Sequence, residues 1–263
     1  MEQLCVHNYR IPVKHVKRKR IYQFSDTHLT CWDNLSSAEE KEKASLRMAD
    51  WERGRLAFAK AFHEPCEGDS LLSAAEYFNS LLQRSKEADA LILAGDIVDF
   101  HTEGNSRFLQ AALMDYPIPY MAVCGNHDEP DRLPEGHPMK VAGQPVQKLD
   151  LGDMVILGFD NSQRLMTSEQ VEMLKTALGE GKPILISMHI PMLAEETPGE
   201  NDYFHLQENL EFIRTIQNHA DQIIGVFCGH LHGQQVSEIC PGVTQYVSSQ
   251  GLMGNLSVYD IGE

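Results

Sequence analysis

The feature that most constrains this chain is a repeated junction, in which short apolar runs end abruptly in Asp, Asn, His or Gly. IYQFS (21–25) runs into Asp26-Thr27-His28, ALILA (90–94) into Gly95-Asp96-Ile97-Val98-Asp99, and PYMAVC (119–124) into Gly125-Asn126-His127-Asp128. PILISM (183–188) runs into His189, and QIIGVFC (222–228) into Gly229-His230-Leu231-His232. With MVILGF (154–159) these runs have the length and β-branched content of buried strands. In open α/β sheets, sites form at the carboxyl ends of strands. Taken singly, each cluster has an ordinary structural explanation. Asp, Asn and Gly make turns, a lone His after a strand is usually a hydrogen-bonded core residue, and His-x-His follows from the period of two along extended chain. Five clusters in succession, each closing an apolar run, exceed turn chemistry and point to a metal site.

Helical patterns fall between the early runs. SLLSAAEYFNSLLQRSKE (70–87) carries apolar residues at helical spacing, and TSEQVEMLKTALGEG (167–181) opens with Thr167 three residues before Gln170, a capping-box pattern. The later runs QVSEI, TQYVS and LSVYD read as alternating antiparallel strands. The alternation predicts an α/β protein with a mixed sheet or two sheets, as a single domain over 1–263. Two stretches break it. Residues 36–66 read as a helical insertion and 191–209 as an acidic, Pro-containing loop. Both leave from strand ends, so each is either surface decoration or a lid. Trp51, Arg53 and Arg55 in the first, and Tyr203, Phe204 and His205 in the second, are candidates to meet substrate, against ordinary packing and surface charge.

Composition enters as a filter. With 22 Lys+Arg against 38 Asp+Glu the net charge is −16, which disfavours a broad face for long duplex nucleic acid. Residues 10–20 hold six basic side chains and no acid, and read as a solvated N-terminal arm (1–20). No apolar run approaches the roughly 20 residues of a spanning helix, so no membrane partner is expected. The first residues lack the apolar core of a secretory signal. Six cysteines without a CxxC pair suggest reduced thiols, with Cys124 and Cys228 as small buried hydrophobes, in a cytoplasmic protein.

The order Asp-x-His, Gly-Asp-x-x-Asp, Gly-Asn-His-Asp, His, Gly-His-x-His resembles the calcineurin-like metallophosphoesterases, over about residues 21–260. The resemblance implies a four-layer α/β/β/α sandwich of two mixed sheets flanked by helices, with metals at one sheet edge. It implies that Asp26, His28 and His232 bind one metal ion, that Asn126, His189 and His230 bind a second, and that Asp96 bridges them. Imidazole and carboxylate donors without thiolate suit Mn²⁺, Fe²⁺/Fe³⁺ or Zn²⁺. Seven ligands exceed one tetrahedral zinc but suit a metal pair sharing a carboxylate.

The same resemblance implies a mechanism. A metal-bridging hydroxide attacks the phosphorus, and His127 protonates the leaving oxygen as general acid. Asp99 hydrogen-bonds the far nitrogen of His127 and orients it. Asp128 reads as a turn cap. Asp99 stands where purple acid phosphatases have a metal-binding Tyr, and Arg132 is the first Arg after Gly-Asn-His-Asp, unlike the Ser/Thr protein phosphatases. The pattern is most like the bacterial phosphodiesterase and phosphohydrolase branch, acting on a small anionic phosphomonoester or phosphodiester. The alternatives are a nuclease for short or single strands and a non-catalytic scaffold. Retention of all seven ligands and His127 favours catalysis.

Overall fold

The computed structural model describes residues 4–62, 73–192 and 209–263. Among them, eleven strands form two sheets. The first sheet holds β1 (Cys5–Ile11), β2 (Lys19–Phe24), β3 (Ala90–Leu93), β4 (Tyr120–Ala122) and β11 (Asn255–Ile261), in the order β1-β11-β2-β3-β4. The second holds β5 (Val146–Asp150), β6 (Val155–Phe159), β7 (Ile184–Ser187), β8 (Ile223–Cys228), β9 (Gln235–Cys240) and β10 (Val243–Val247), in the order β5-β6-β7-β8-β10-β9. The helices are α1 (Ala38–Phe62), α2 (Ala74–Ser85), α3 (Glu103–Leu113), α4 (Ser168–Gly179) and α5 (Leu210–Asn218).

The alternation of side chains across each strand builds three apolar layers. On β3, Ala90 and Ile92 face a core shared with Ile156, Leu185 and Phe227 of the other sheet, while Leu91 and Leu93 pack with Phe78 and Leu81 of α2 and Leu109 of α3. On the far side, Leu157 and Phe159 pack with Leu174 of α4 and Phe212 of α5. The order is therefore helix, sheet, sheet, helix, the expected four layers. At β8 the alternation slips. Ile184 pairs with Ile223 but Leu185 pairs with Gly225, a bulge that shifts every later residue of β8 by one position.

The helix start that the sequence marks at Thr167 is capped, and a second cap lies at α2. Ser73 and Glu76 form a reciprocal capping box at α2, as Thr167 and Gln170 do at α4. Two departures stand out. Cys5–Ile11 is not part of an arm but a strand paired in parallel with β11 along its whole length. Two of the basic side chains that follow it are tied down locally, with Arg18 on Asp260 at 2.7 Å and Lys19 on Asp153 at 3.4 Å. β11 is antiparallel to β2, as expected, but it does not alternate. It lies between β1 and β2, parallel to the first and antiparallel to the second, and is buried on both faces. β10 is antiparallel to β9 but parallel to β8.

No helix among the described residues is long and apolar enough to cross a membrane. Of the described cysteines, all five are free thiols, and burial pushes the Cys228 thiol up, so it is inert packing.

Candidate metal centre

β2, β3 and β4 run parallel in one sheet, and β7 and β8 run parallel in the other. Their carboxyl ends meet at one edge of the sandwich. The loops after β2 and β3 go on pairing beyond the strands. Asp26 N donates to Gly95 O at 2.9 Å, His28 N to Asp96 O at 3.1 Å, and Asp99 N to Leu29 O at 3.1 Å. Across the sheets, His230 N donates to Asp26 Oδ1 at 3.1 Å and Oδ2 at 3.0 Å.

Backbone strain concentrates at the same edge. Asp26 (φ 54°), His28 (43°), Asp96 (51°), His230 (73°) and His232 (55°) are all left-handed. For a non-glycine residue such a conformation costs about 1–3 kcal/mol and persists where surrounding bonds over-determine it. Here the cross-loop hydrogen bonds do so. They turn the side chains away from the sheet's period-two directions and toward one another.

Three donor groups among the described residues have ligand atoms within 4.8 Å of one another: Asp26–His28–His232, Asp96–His189–His230, and His28–Asp99–His127, which shares His28 with the first. Asp96 Oδ2 lies 3.2 Å from His189 Nε2 and 3.9 Å from His28 Nε2, so one carboxylate oxygen faces the first two groups. Its other oxygen accepts the His127 amide at 2.8 Å. His28 Nε2 and His232 Nε2 stand 3.1 Å apart, and His232 Nε2 is 3.4 Å from Asp26 Oδ1. Asn126 is exposed in the loop between Gly125 and His127.

Electrostatics follow from crowding buried charge. Burial pushes Asp96 and Asp26 up, but neighbouring imidazoles, His189 foremost for Asp96 and His232 for Asp26, outweigh it and hold both below the usual carboxylate range. Burial lowers His189, and the Asp96 carboxylate more than reverses it, raising His189 to about 9. His230 falls to about 4, through burial and then the charge of His189. Burial also lowers His28.

These atoms fit metal ions. His189 is fully buried, its Nδ1 donates to Ala94 O at 2.8 Å, and its Nε2 makes no hydrogen bond. When neither Nε2 carries the ring proton, the two imidazole nitrogens facing each other across 3.1 Å present two lone pairs and no donor. A cation beside both would satisfy these donors, and imidazole with carboxylate is a borderline-to-hard set.

His127 is oriented differently from the expectation. Its Nδ1 contacts the main-chain oxygen of Asp99 at 2.9 Å, and the Asp99 carboxylate is 3.7 Å away. That carboxylate is taken by other groups: Arg47 Nε at 2.6 Å and Nη2 at 3.1 Å, Trp51 Nε1 at 3.1 Å, and His28 Nδ1 at 3.2 Å. The sequence reading missed Arg47. Its only signal was helical spacing from Trp51 within a charged stretch, which resembles any solvated face. Trp51 does reach the site, 4.6 Å from the His28 ring, centroid to centroid. Arg53 instead pairs with Asp50 on the surface. The side chain of Arg55, and Tyr203, Phe204 and His205 of the acidic loop, lie outside the described residues. Asp128 is a clip between loops, accepting Val98 N at 3.1 Å and Gly125 N at 2.9 Å, and burial with the charge of Asp96 raises it to about 6.

The profile of the calcineurin-like phosphoesterases matches residues 19–234, and the chain belongs to that family. A relative named "probable cyclic nucleotide phosphodiesterase" in Synechococcus sp. is 30% identical over 165 residues, covering 60% of this chain and 63% of the relative. One of the same name in Colwellia psychrerythraea is 29% identical over 159 residues, covering 54% of this chain and 55% of the relative. The match thus spans about three-fifths of these relatives' length. Among solved structures, a dimetal phosphatase from Danio rerio aligns over 92% of this chain and 89% of its own, with TM-score 0.57 at 10% identity. A purple acid phosphatase from yellow lupin aligns over 93% of this chain and 45% of its own, with TM-score 0.51 at 13% identity. Both share the fold.

Proposed function

We propose that this protein is a two-metal phosphodiesterase acting on a small anionic diester of the cyclic-nucleotide class. The observation that carries the reading is the Asp96 carboxylate, whose Oδ2 faces His189 on one side and His28 on the other. A shared carboxylate between two imidazole groups is the donor arrangement a metal pair requires. Asp26, His28 and His232 would hold one ion, Asn126, His189 and His230 the other, and Asp96 both. Mn²⁺, iron or Zn²⁺ suits these donors. When bound, such a pair supplies Lewis-acid polarisation of the phosphoryl oxygens and a water of lowered pKa.

The chain's own residues do the rest. Asp96 keeps the two halves of the site in register, with one oxygen toward the imidazoles and the other on the His127 amide. His127 is about one-third exposed and its Nδ1 is engaged by the Asp99 carbonyl, so in the imidazolium form the Nε2 proton is the one available to a departing oxygen. Asp128 clips the Gly125-Asn126-His127 loop to the β3 loop, which holds His127 beside the metal donors. The substrate class comes from the names of the bacterial relatives, and the net charge of −16 sets the chain against long duplexes.

The test is hydrolysis of bis(p-nitrophenyl) phosphate, p-nitrophenyl phosphate and a 3′,5′-cyclic nucleotide with and without Mn²⁺. Metal-dependent turnover of both diesters, faster than of the monoester, is expected. Absence of metal-dependent hydrolysis of any of them overturns the reading.

A further inference from the structure

The helical insertion is attached to the site by an unusual stripe. Glu40, Lys43, Arg47 and Trp51 recur at spacings of three and four along α1, so they share one face. Each contacts the loop that follows β3 or the start of α3. Glu40 Oε1 accepts the Glu103 amide at 2.7 Å, Lys43 Nζ lies 3.9 Å from the centre of the Phe100 ring, and Arg47 and Trp51 both bind the Asp99 carboxylate. Arg107 on α3 reaches back to Asp33, ahead of the helix, at 2.7 and 2.8 Å. Arg47 also lies 4.8 Å from the Trp51 ring centre, so the two Asp99 partners brace each other.

Asp99 is almost fully buried, and a buried carboxylate must be paired. Arg47 supplies two bonds in a fork, Trp51 a third, and the remaining contact goes to His28 Nδ1. A carboxylate fixed on three donors is a stationary negative charge 3.2 Å from His28 Nδ1, an ion-pair contact outside hydrogen-bond geometry, and it favours the proton on that nitrogen. It sets the tautomer of His28 and directs Nε2 toward His232 and Asp96. Trp51 lies against the same ring at 4.6 Å and limits its tilt. His189, in the other group, is oriented by the main-chain oxygen of Ala94 and needs nothing from α1.

We propose that Arg47 and Trp51 are positioning residues that act through Asp99 to set the affinity of one metal position, the one built on His28, and leave the His189 position untouched. The inference rests on the two-metal reading above.

Calorimetric titration of the metal-free full chain with Mn²⁺ tests it. The wild type takes up two ions. In Arg47→Ala one step weakens by about 10–100-fold, the usual size of losing such a supporting partner, while the other step keeps its wild-type affinity. The weakened step is the one missing in His28→Ala. Trp51→Phe, which keeps a ring against His28 but removes the N–H to Asp99, weakens the same step by less. Arg47→Lys recovers part of the loss, because it restores the charge without the fork. Two wild-type steps in Arg47→Ala overturn the inference, and so does equal weakening of both, which marks general loosening. Failure of the wild type to bind two ions overturns instead the reading beneath it.

Discussion

His189 and His28 present Nε2 to the same Asp96 oxygen, yet they are held by different kinds of partner. His189 is fixed by a peptide carbonyl at the end of β3, inside the sandwich. His28 is fixed by a carboxylate that is itself fixed by a helix outside the sandwich. The first arrangement comes with the fold, since any chain that closes these two sheets presents a carbonyl there. The second depends on a polar stripe that can be altered without disturbing a core. One half of the site is therefore built into the scaffold, and the other half is adjustable.

The largest effect should fall on the residue that joins the halves. Asp96→Ala is expected to lose both ions and to bring diester hydrolysis to background, and a variant that keeps a metal pair by metal analysis would break the comparison at its hinge. Next, His127→Ala should keep both ions yet slow diesters with poor leaving groups by about 10²–10⁴-fold, with a much smaller loss on nitrophenyl esters. Equal loss on both substrates would mean that His127 does not serve the leaving oxygen.

A pH titration separates the halves chemically. Asp96 holds His189 protonated up to about 9 in the metal-free protein. A ligating imidazole must be neutral, so the ion displaces that proton, and affinity at the His189 position should fall by about tenfold per pH unit below 9. Burial lowers His28, and Asp26 raises His232 less far than Asp96 raises His189, so affinity at the His28 position should fall less steeply over the same range. Isotherms at pH 7, 8 and 9 showing both steps moving together would contradict this.

The smallest effect tests the scaffold side alone. Gly95 is left-handed at φ +86°, and a Cβ there would lie 2.5 Å from His189 Nδ1. Gly95→Ala should cost about 1–3 kcal/mol in denaturant unfolding and weaken the His189 position, the mirror image of Arg47→Ala. An unchanged midpoint and two unchanged binding steps would show that this half tolerates more than its packing suggests.

What the sequence made legible divides along the same line. The strands buried on both faces, β11 excepted, announce themselves as apolar runs, and the residues at their ends are the ones the fold gathers. β1 and β5 went unread because they are edge strands. CVHNYRI and VQKLD expose one face and carry no apolar run. The family and the layered fold followed from motif order. The partner of Asp99 did not, because spacing places the carboxylate near several imidazoles and tertiary packing chooses among them. It chose His28, with His127 left to the carbonyl. Arg47 was illegible for the reason that makes it adjustable, since a charged residue on a charged helix looks the same whether it faces water or a buried acid.

The central claim is that one carboxylate serves two ions. Equilibrium dialysis of the full chain against Mn²⁺, followed by metal analysis, tests it most directly. The account predicts two ions per chain at saturation, and one ion or none would contradict it.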